Sequence, residues 1–320
     1  MTKEYLDLKL DFMFKQLFGQ PTRKNITIAF LNDLLGRTGA DRISDLSYEN
    51  TELIKDSIEG KSGRLDLSVL TEEGERINIE IQVKHQHDMP ERILYYWAKT
   101  YASSISSGDE YRKLTPTIFI SILNYPLFPS DTDQFHTKFH IREENEGFLW
   151  TEHLEFHLFD LSNFMVKWRK YRRELKQKAG SELPWLLMLS ATDYRKKRVE
   201  TELFSDLEEW AMNIEEIREA LIEWETLSAN KENRALFEAR AKELRDLLSN
   251  LEGERRLGIK EGIKEGIKEG IKEGIKKGEI KGRMDEKHDV AIKMLQEGIE
   301  ITVVAKVTEL TIEELCKLGK

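Results

Sequence analysis

The sequence has little of what marks secreted or membrane-spanning proteins. Its 320 residues include one cysteine, Cys316, so no intramolecular disulfide can form and a reducing compartment is expected. The first residues lack a basic segment followed by an apolar one, and no apolar run approaches the length of about 18 residues that a membrane span needs. We therefore expect a cytoplasmic protein that does not enter a membrane.

Basic residues are also fewer than acidic ones. Lys and Arg total 50 against 59 Asp and Glu, which gives a net charge of −9. Attraction of the whole surface to nucleic acid is therefore disfavoured, and a DNA-binding protein of this composition needs a local basic patch. One segment around Trp168 and Tyr171 is rich in basic residues. Contact with DNA phosphates and exposure of a helix face to solvent explain this pattern equally well. Its basic residues are Lys167, Arg169, Lys170, Arg172, Arg173, Lys176 and Lys178, followed by 195–198.

Two neighbouring segments, 64–69 and 78–84, alternate apolar and polar residues on either side of Gly74. This period of two predicts a β-hairpin with one apolar and one polar face. With a three-residue turn and Gly74 in the left-handed conformation, Asp66 would lie directly opposite Glu80 on the polar face. Opposed carboxylates repel each other, and a divalent cation between them would turn this repulsion into a binding site. A hairpin with solvated polar residues is the equally weighted alternative.

Five short motifs carry a family resemblance. They are Asp11–Gly19, Phe30–Leu35, Asn78–Gln82, Arg92–Tyr96 and Thr115–Leu123. Asp66 followed by Glu80, Ile81 and Gln82 on the next strand resembles the metal-binding signature of the PD-(D/E)XK nuclease superfamily, in its E-x-Q form. As an ordered set over roughly residues 1–165, the motifs resemble the Rpn family of recombination-promoting nucleases and transposases.

The resemblance implies a nuclease that hydrolyses phosphodiester bonds in DNA with Mg²⁺, or Mn²⁺, as cofactor. Asp66 and Glu80 would bind the metal, with the backbone carbonyl of Ile81 as a further ligand. Gln82 stands where the superfamily usually has lysine, and a neutral amide orients a water but supplies no positive charge. Lys84, further along the same predicted strand face, would partly replace that charge; a solvated lysine is the alternative.

Further candidates lie on the neighbouring helices. As the resemblance implies, Asp11 would add a third carboxylate from the first helix, although an aspartate at a helix start is also electrostatically favourable in itself. Lys15, one turn later, would face the same cleft. Arg92 and Tyr95 fit substrate contact and ordinary packing equally well.

The order of predicted elements is helix, strand, strand, helix, strand. With the resemblance, this order predicts an α/β fold with a PD-(D/E)XK restriction-endonuclease-like core, in which helices flank a mixed central sheet, followed by a helical region and a helical C-terminal tail. Helices are predicted over 5–18, 22–35 and 88–108, and further strands over 117–123 and 154–159. The predicted parts are a nuclease-like domain over 1–165, a charged helical region over 166–250, a repeat segment over 251–287 and a small helical module over 288–320.

A four-residue repeat, Gly-Ile-Lys-Glu, runs from Gly258 through Glu273. Each unit advances about 40° beyond one helical turn, so the isoleucines form a right-handed stripe. Each glycine costs a helix about 1 kcal/mol relative to alanine, against a few tenths gained per Glu–Lys pair. The repeat therefore predicts either a marginal helix, stabilised by self-association, or a flexible tether. Besides DNA, the expected partners are further copies of this chain, which would form a homo-oligomer through the repeat and the tail.

In the tail, residues 288–320, the sequence pattern predicts three short helices with a break at Gly298. Thr311 and Glu314 form a capping-box pattern at the last helix. The arrangement resembles a helix-turn-helix, but Glu313 and Glu314 would repel phosphates at the helix start, so we expect a packing or oligomerisation module.

Two functions from different classes follow from the sequence. The first is a Mg²⁺-dependent DNA endonuclease that acts in recombination or transposition. The second is a catalytically weak or inactive, DNA-associated oligomeric scaffold that keeps the nuclease fold, which Gln82 and the acidic net charge favour.

Overall fold

The computed structural model describes residues 4–53, 63–85, 88–177, 180–195 and 198–318. The chain forms two compact units, Met1–Arg245 and Asp246–Lys320. Helices on both sides of residue 165 pack together inside the first unit. The separation of 1–165 from 166–250 stays a prediction about which part folds by itself.

The elements of the described residues follow in chain order. Those up to the last strand of the main sheet are α1 (Asp11–Phe18), α2 (Lys24–Leu35), β1 (Leu46–Tyr48), β2 (Glu52–Leu53), β3 (Gly63–Arg64), β4 (Leu67–Thr71), β5 (Arg76–Gln82), α3 (Met89–Ala102), β6 (Thr117–Leu123), β7 (His136–Phe139) and β8 (Leu154–Asp160). Those that follow are α4 (Leu161–Gln177), α5 (Leu183–Ser190), β9 (Thr192–Asp193), β10 (Arg198–Val199), α6 (Thr201–Asn213), α7 (Glu215–Ala229), α8 (Lys231–Gln296), α9 (Ile301–Thr308) and α10 (Ile312–Leu318).

Within the described residues, six strands form one mixed sheet in the order β1-β4-β5-β6-β8-β7. Strands β5, β6 and β8 run parallel, and the outer strands pair antiparallel to them or to each other. All residues of β6 are buried, as its continuous apolar run predicts for a central strand. The predicted class, an α/β fold with a mixed sheet flanked by helices, is confirmed.

The β4–β5 hairpin has the predicted turn. Leu67 pairs with Ile79, and the pairing continues to the turn, where the N–H of Thr71 donates to the carbonyl of Glu75 at 2.9 Å. Gly74 closes a three-residue turn with φ +83°, a conformation that a Cβ atom disfavours.

The polar face of this hairpin is covered, so the alternative of a solvated polar face is ruled out. Ser68, Asn78 and Glu80 are buried. Helix α3 packs on this side, because its Ile93 shares an apolar cluster with Phe119, the β6 partner of Asn78. The physical reason is the parallel pairing of β5 with β6, since parallel strands need helices on both faces of the sheet.

Helix α1 begins at Asp11, so the prediction of a helix from residue 5 is wrong at its start. Asp7 accepts hydrogen bonds from the backbone N–H of Lys9 at 2.9 Å and of Tyr194 at 3.0 Å. Lys9 Nζ donates to the carbonyl of Thr192 at 2.6 Å. These buried contacts with a distant segment hold residues 7–10 in a turn, a tertiary effect that apolar spacing does not reveal.

The edge strands β1 and β7 were not predicted. They have three and four residues, which is too short for a clear alternation of apolar and polar positions. The later helices supply part of the core: Trp168, Trp185 and Trp224 are buried, and Trp210 is half-buried.

Helix α8 runs without interruption through the Gly-Ile-Lys-Glu repeat, so the repeat is helical. Its isoleucines are exposed by 53–59%, as Ile259 and Ile263 illustrate. After Gly298, the predicted capping box is confirmed: the N–H of Thr311 donates to Glu314 Oε2 at 2.9 Å, and the N–H of Glu314 donates to Thr311 Oγ1 at 3.3 Å. Among the described residues, no helix has the length and apolar character that crossing a bilayer requires.

Candidate active site

Asp66 lies in a β-bulge at the start of β4. Its N–H donates to the carbonyl of Ile79 at 3.1 Å, although the residue paired with Ile79 is Leu67. Two residues of one strand therefore face one residue of the other, which defines a bulge. The prediction that Asp66 lies directly opposite Glu80 is wrong for this reason. The alternation over 64–69 would place Leu65 on the apolar face with Leu67, but the bulge turns Leu65 toward the cluster under α3.

The bulge aims the Asp66 carboxylate at the end of β5. Asp66 Oδ2 accepts a hydrogen bond from the backbone N–H of Ile81 at 2.8 Å. Asp66 Oδ1 lies 3.4 Å from Lys15 Nζ on α1, so Lys15 faces the predicted cleft. The Asp66 side chain is 13% exposed. Its two oxygens thus have different partners, one from the backbone and one from a cation.

Glu80, the second carboxylate of the candidate site, is more deeply buried than Asp66, and its side chain is 2% exposed. Oε1 accepts hydrogen bonds from Arg92 on α3 at 2.6 Å and from Gln82 Nε2 at 2.9 Å. Oε2 is buried and has no hydrogen-bond partner among the described residues. Because a buried polar atom without a partner is costly, this oxygen calls for a partner that the described residues do not supply, such as a water or a cation.

Burial has the largest effect on the pKa of both carboxylates. It raises the pKa of Asp66, an effect that the Ile81 N–H and Lys15 oppose and the nearby charge of Asp11 reinforces. Burial likewise raises the pKa of Glu80; Arg92 and Gln82 oppose the shift, and Asp66 adds to it. The two carboxylates therefore lie close enough to interact despite the bulge, and Asp11 acts on the same site from the exposed start of α1.

Strand β5 ends at Gln82, whose carbonyl accepts a hydrogen bond from the N–H of Asn124 at 2.9 Å. The expectation that Lys84 continues the same strand face is therefore wrong, because the chain bends after residue 82. A role for Lys84 in catalysis stays a prediction. The positive charge next to Asp66 comes from Lys15.

The donor set suits a hard cation that keeps part of its water shell. Asp66, Glu80 and a backbone carbonyl are oxygen ligands, and Mg²⁺ is commonly held by one or two carboxylates and several waters. Within the described ranges, no group of three His, Cys, Asp or Glu side chains is arranged to enclose a metal ion. The Oε2 atom of Glu80, which has no partner among the described residues, is an oxygen of the kind that such a cation binds.

Three basic residues of the α4 segment form ion pairs within the fold. Arg172 and Lys176 both pair with the buried Asp206 on α6, Lys176 at 2.8 Å. Lys167 Nζ lies 3.1 Å from Asp133. These ion pairs offset the charge that phosphate contact would need. Three further basic residues of the predicted patch lie outside the described residues. They are Lys178, Lys196 and Lys197.

The sequence model of the PD-(D/E)XK nuclease family transposases matches residues 8–254. The match includes α1, the β4–β5 hairpin, α3 and the helices through α7. The chain belongs to the PD-(D/E)XK nuclease family transposases, and the resemblance read from its motifs is confirmed at this level. No curated protein and no solved structure matches the chain.

Proposed function

We propose that this chain is a divalent-metal-dependent DNA endonuclease, with Mg²⁺ as its cofactor and Mn²⁺ as a substitute, and that cleavage serves DNA recombination or transposition. The observation that carries the proposal is the buried Oε2 atom of Glu80, which has no described partner and lies in one cleft with Asp66. Membership of a nuclease and transposase family supports DNA as the substrate. The single cysteine fits a reducing compartment such as the cytoplasm.

In this proposal, Asp66, Glu80 and the carbonyl of Ile81 hold the metal, and Asp11 adds a carboxylate at the outer side. The N–H and carbonyl of one extended residue point to the same strand edge, so the carbonyl of Ile81 is directed toward Asp66, as its N–H is. The bound metal would lower the pKa of a water and offset charge on the phosphate.

The other polar residues of the site orient the substrate and the carboxylates. Lys15 supplies the positive charge that Gln82 lacks, and it is placed to contact a phosphate next to Asp66. The Gln82 amide orients Glu80 and a water. Lys84, just beyond the end of β5, contacts the DNA backbone at the same edge of the sheet.

A specific observation favours a second candidate, a weak or inactive DNA-associated scaffold. Arg92 and Gln82 both donate to Glu80 Oε1, so one ligand oxygen is already engaged. The exposed isoleucines of α8 offer a surface through which such a scaffold would self-associate.

Plasmid cleavage by the full-length protein separates the two candidates. With Mg²⁺ or Mn²⁺ the nuclease converts supercoiled DNA to nicked or linear forms, and EDTA stops it. Asp66→Asn should abolish cleavage, because it removes a ligand charge but keeps an oxygen for the Ile81 N–H. The matched control is Asp109→Asn, at a surface ion pair with Lys113. DNA retardation without metal-dependent cleavage would support the scaffold, whereas full activity of Asp66→Asn would remove Asp66 from the proposed metal site.

A further inference from the structure

Each carboxylate of the cleft carries its own cation. Lys15 Nζ lies 3.4 Å from Asp66, and an Arg92 guanidinium nitrogen lies 2.6 Å from Glu80. The formal charges of these four side chains sum to zero, and Asp11 at the outer side adds one negative charge. Without a metal, the charges of Asp66 and Glu80 are therefore already balanced by residues of the chain itself.

A divalent metal would compete with these cations. Arg92 engages Oε1 of a carboxylate that is almost fully buried, where repulsion between Arg92 and a metal only a few ångströms away is weakly screened. A metal bound to Oε2 alone would share the Glu80 carboxylate with the Arg92 guanidinium, and the two positive charges would repel each other. Full coordination of Glu80 therefore requires Arg92 to move.

Arg92 has a contact that does not depend on Glu80. Its guanidinium carbon lies 5.0 Å from the ring centroid of Tyr96, one helical turn further along α3. Such stacking holds a guanidinium plane while leaving its N–H groups able to reach an anion. A DNA phosphate near the metal is the anion that this fork of donors suits.

We propose that Arg92 and Lys15 exchange partners during assembly of the site: metal takes Glu80 and Asp66, and the two displaced cations take phosphates of the DNA. Metal binding and DNA binding then strengthen each other, because each ligand removes the competitor of the other. The inference rests on the metal-dependent function proposed for this cleft, and it assigns Arg92 as the residue that couples metal to substrate.

The coupling is reciprocal and can be measured without turnover. The factor by which DNA tightens metal binding equals the factor by which metal tightens DNA binding. We would titrate Mn²⁺ into the full-length protein and follow the EPR signal of free Mn²⁺, with and without a short phosphorothioate duplex whose integrity is checked on a gel. For the wild type, DNA should lower the Kd for Mn²⁺ by about 5- to 150-fold.

Two variants of Arg92 test its role. Without DNA, Arg92→Met should bind Mn²⁺ about tenfold more tightly than the wild type, because the competing charge is gone. DNA should improve its metal affinity less than it improves that of the wild type. Arg92→Lys keeps a positive charge and should retain weak DNA-free binding together with most of the coupling. The matched control is Arg112→Met, since Arg112 is an exposed arginine paired with Glu110 before the start of β6.

The outcomes separate this inference from the function on which it rests. If the folded Arg92→Met binds Mn²⁺ no more tightly than the wild type, Arg92 is not a competitor and the exchange is wrong, while the metal site stands. If Arg92→Met does not fold, Arg92→Gln takes its place: tighter DNA-free binding of Mn²⁺ than in the Arg112→Met control supports the exchange, and equal binding contradicts it. If the wild type binds no Mn²⁺ with or without DNA, the metal-dependent function and the exchange both fail.

Discussion

The side chain of Asp66 accepts a hydrogen bond from the backbone N–H of Ile81 at 2.8 Å. In a regular continuation of the β4–β5 ladder, this N–H would bond to a backbone carbonyl of the neighbouring strand. The bulge at Asp66 interrupts the ladder, and the carboxylate takes the place of that carbonyl. Asp66 therefore has two roles: it supplies the hydrogen-bond acceptor that the interrupted ladder lacks, and it presents a carboxylate in the candidate site.

This double role predicts that removal of the carboxylate costs stability as well as activity. Asp66→Ala leaves the Ile81 N–H without its acceptor, so we expect the free energy of unfolding to fall by about 1–3 kcal/mol. Asp66→Asn keeps an acceptor oxygen and should lose less. Urea denaturation of the metal-free proteins measures both changes. Equal stability of the Ala and Asn variants would show that the hydrogen bond contributes little.

Burial of Glu80 predicts a stability that depends on pH. Burial raises the pKa of Glu80 in the folded protein. The contribution of such an acid is fully present below its unfolded pKa and is lost as pH rises through the folded pKa. Relative to Glu80→Gln, the metal-free wild type should therefore lose stability as pH rises above the ordinary range of a glutamate. Urea denaturation at a series of pH values measures this difference.

The control for the pH series is Glu143→Gln, which should show the opposite sign. Hydrogen bonds, first that from the backbone N–H of Glu146, lower the pKa of Glu143. Its contribution is present above the unfolded pKa and is lost as pH falls. A difference between wild type and Glu80→Gln that stays constant across the series would contradict the role of burial.

Gln82→Lys should retain cleavage or raise it. Lysine would keep a donor toward Glu80 Oε1 and add the charge that the superfamily usually has at this position. A single-turnover cleavage assay with Mg²⁺ measures the chemical step. Loss of cleavage in a folded Gln82→Lys protein would mean that the amide itself has a specific role.

Deletion of residues 258–273 should leave the first unit folded and its cleavage per active site nearly unchanged, while it alters self-association. The segment lies in the second unit, and its isoleucines are exposed, so it adds little to the core of the first unit. Light scattering reports assembly, and thermal melting with single-turnover cleavage reports the first unit. A collapse of the melting temperature would make the repeat integral to the nuclease fold.

The hairpin illustrates what local sequence determines. Its alternation of apolar and polar residues and Gly74 were sufficient to predict both strands and the turn, because side-chain period and a positive φ are local properties. The resemblance to the family identified Asp66 and Glu80 as site candidates. Their roles stay predictions, but the two carboxylates lie close enough for Asp66 to raise the pKa of Glu80.

The details that were not predicted depend on contacts between distant segments. The bulge at Asp66 leaves no mark in the alternation, so Leu65 was placed on the wrong face. Burial of Glu80 depends on α3, and a strand pattern does not show which helix covers it. The pairing of Arg92 with Glu80 joins a helix to a strand and could be recognised only once both were placed.

The edge strand β7 has a consequence for how the protein behaves at high concentration. An unpaired strand edge can recruit a strand from another molecule, which is a route to aggregation. Strand β7 has four residues, and Lys138 within it pairs with Glu155 on β8 at 2.5 Å while keeping its side chain 44% exposed. A short edge that carries a lysine is a poor template for an incoming strand, so this side of the sheet resists intermolecular β-pairing.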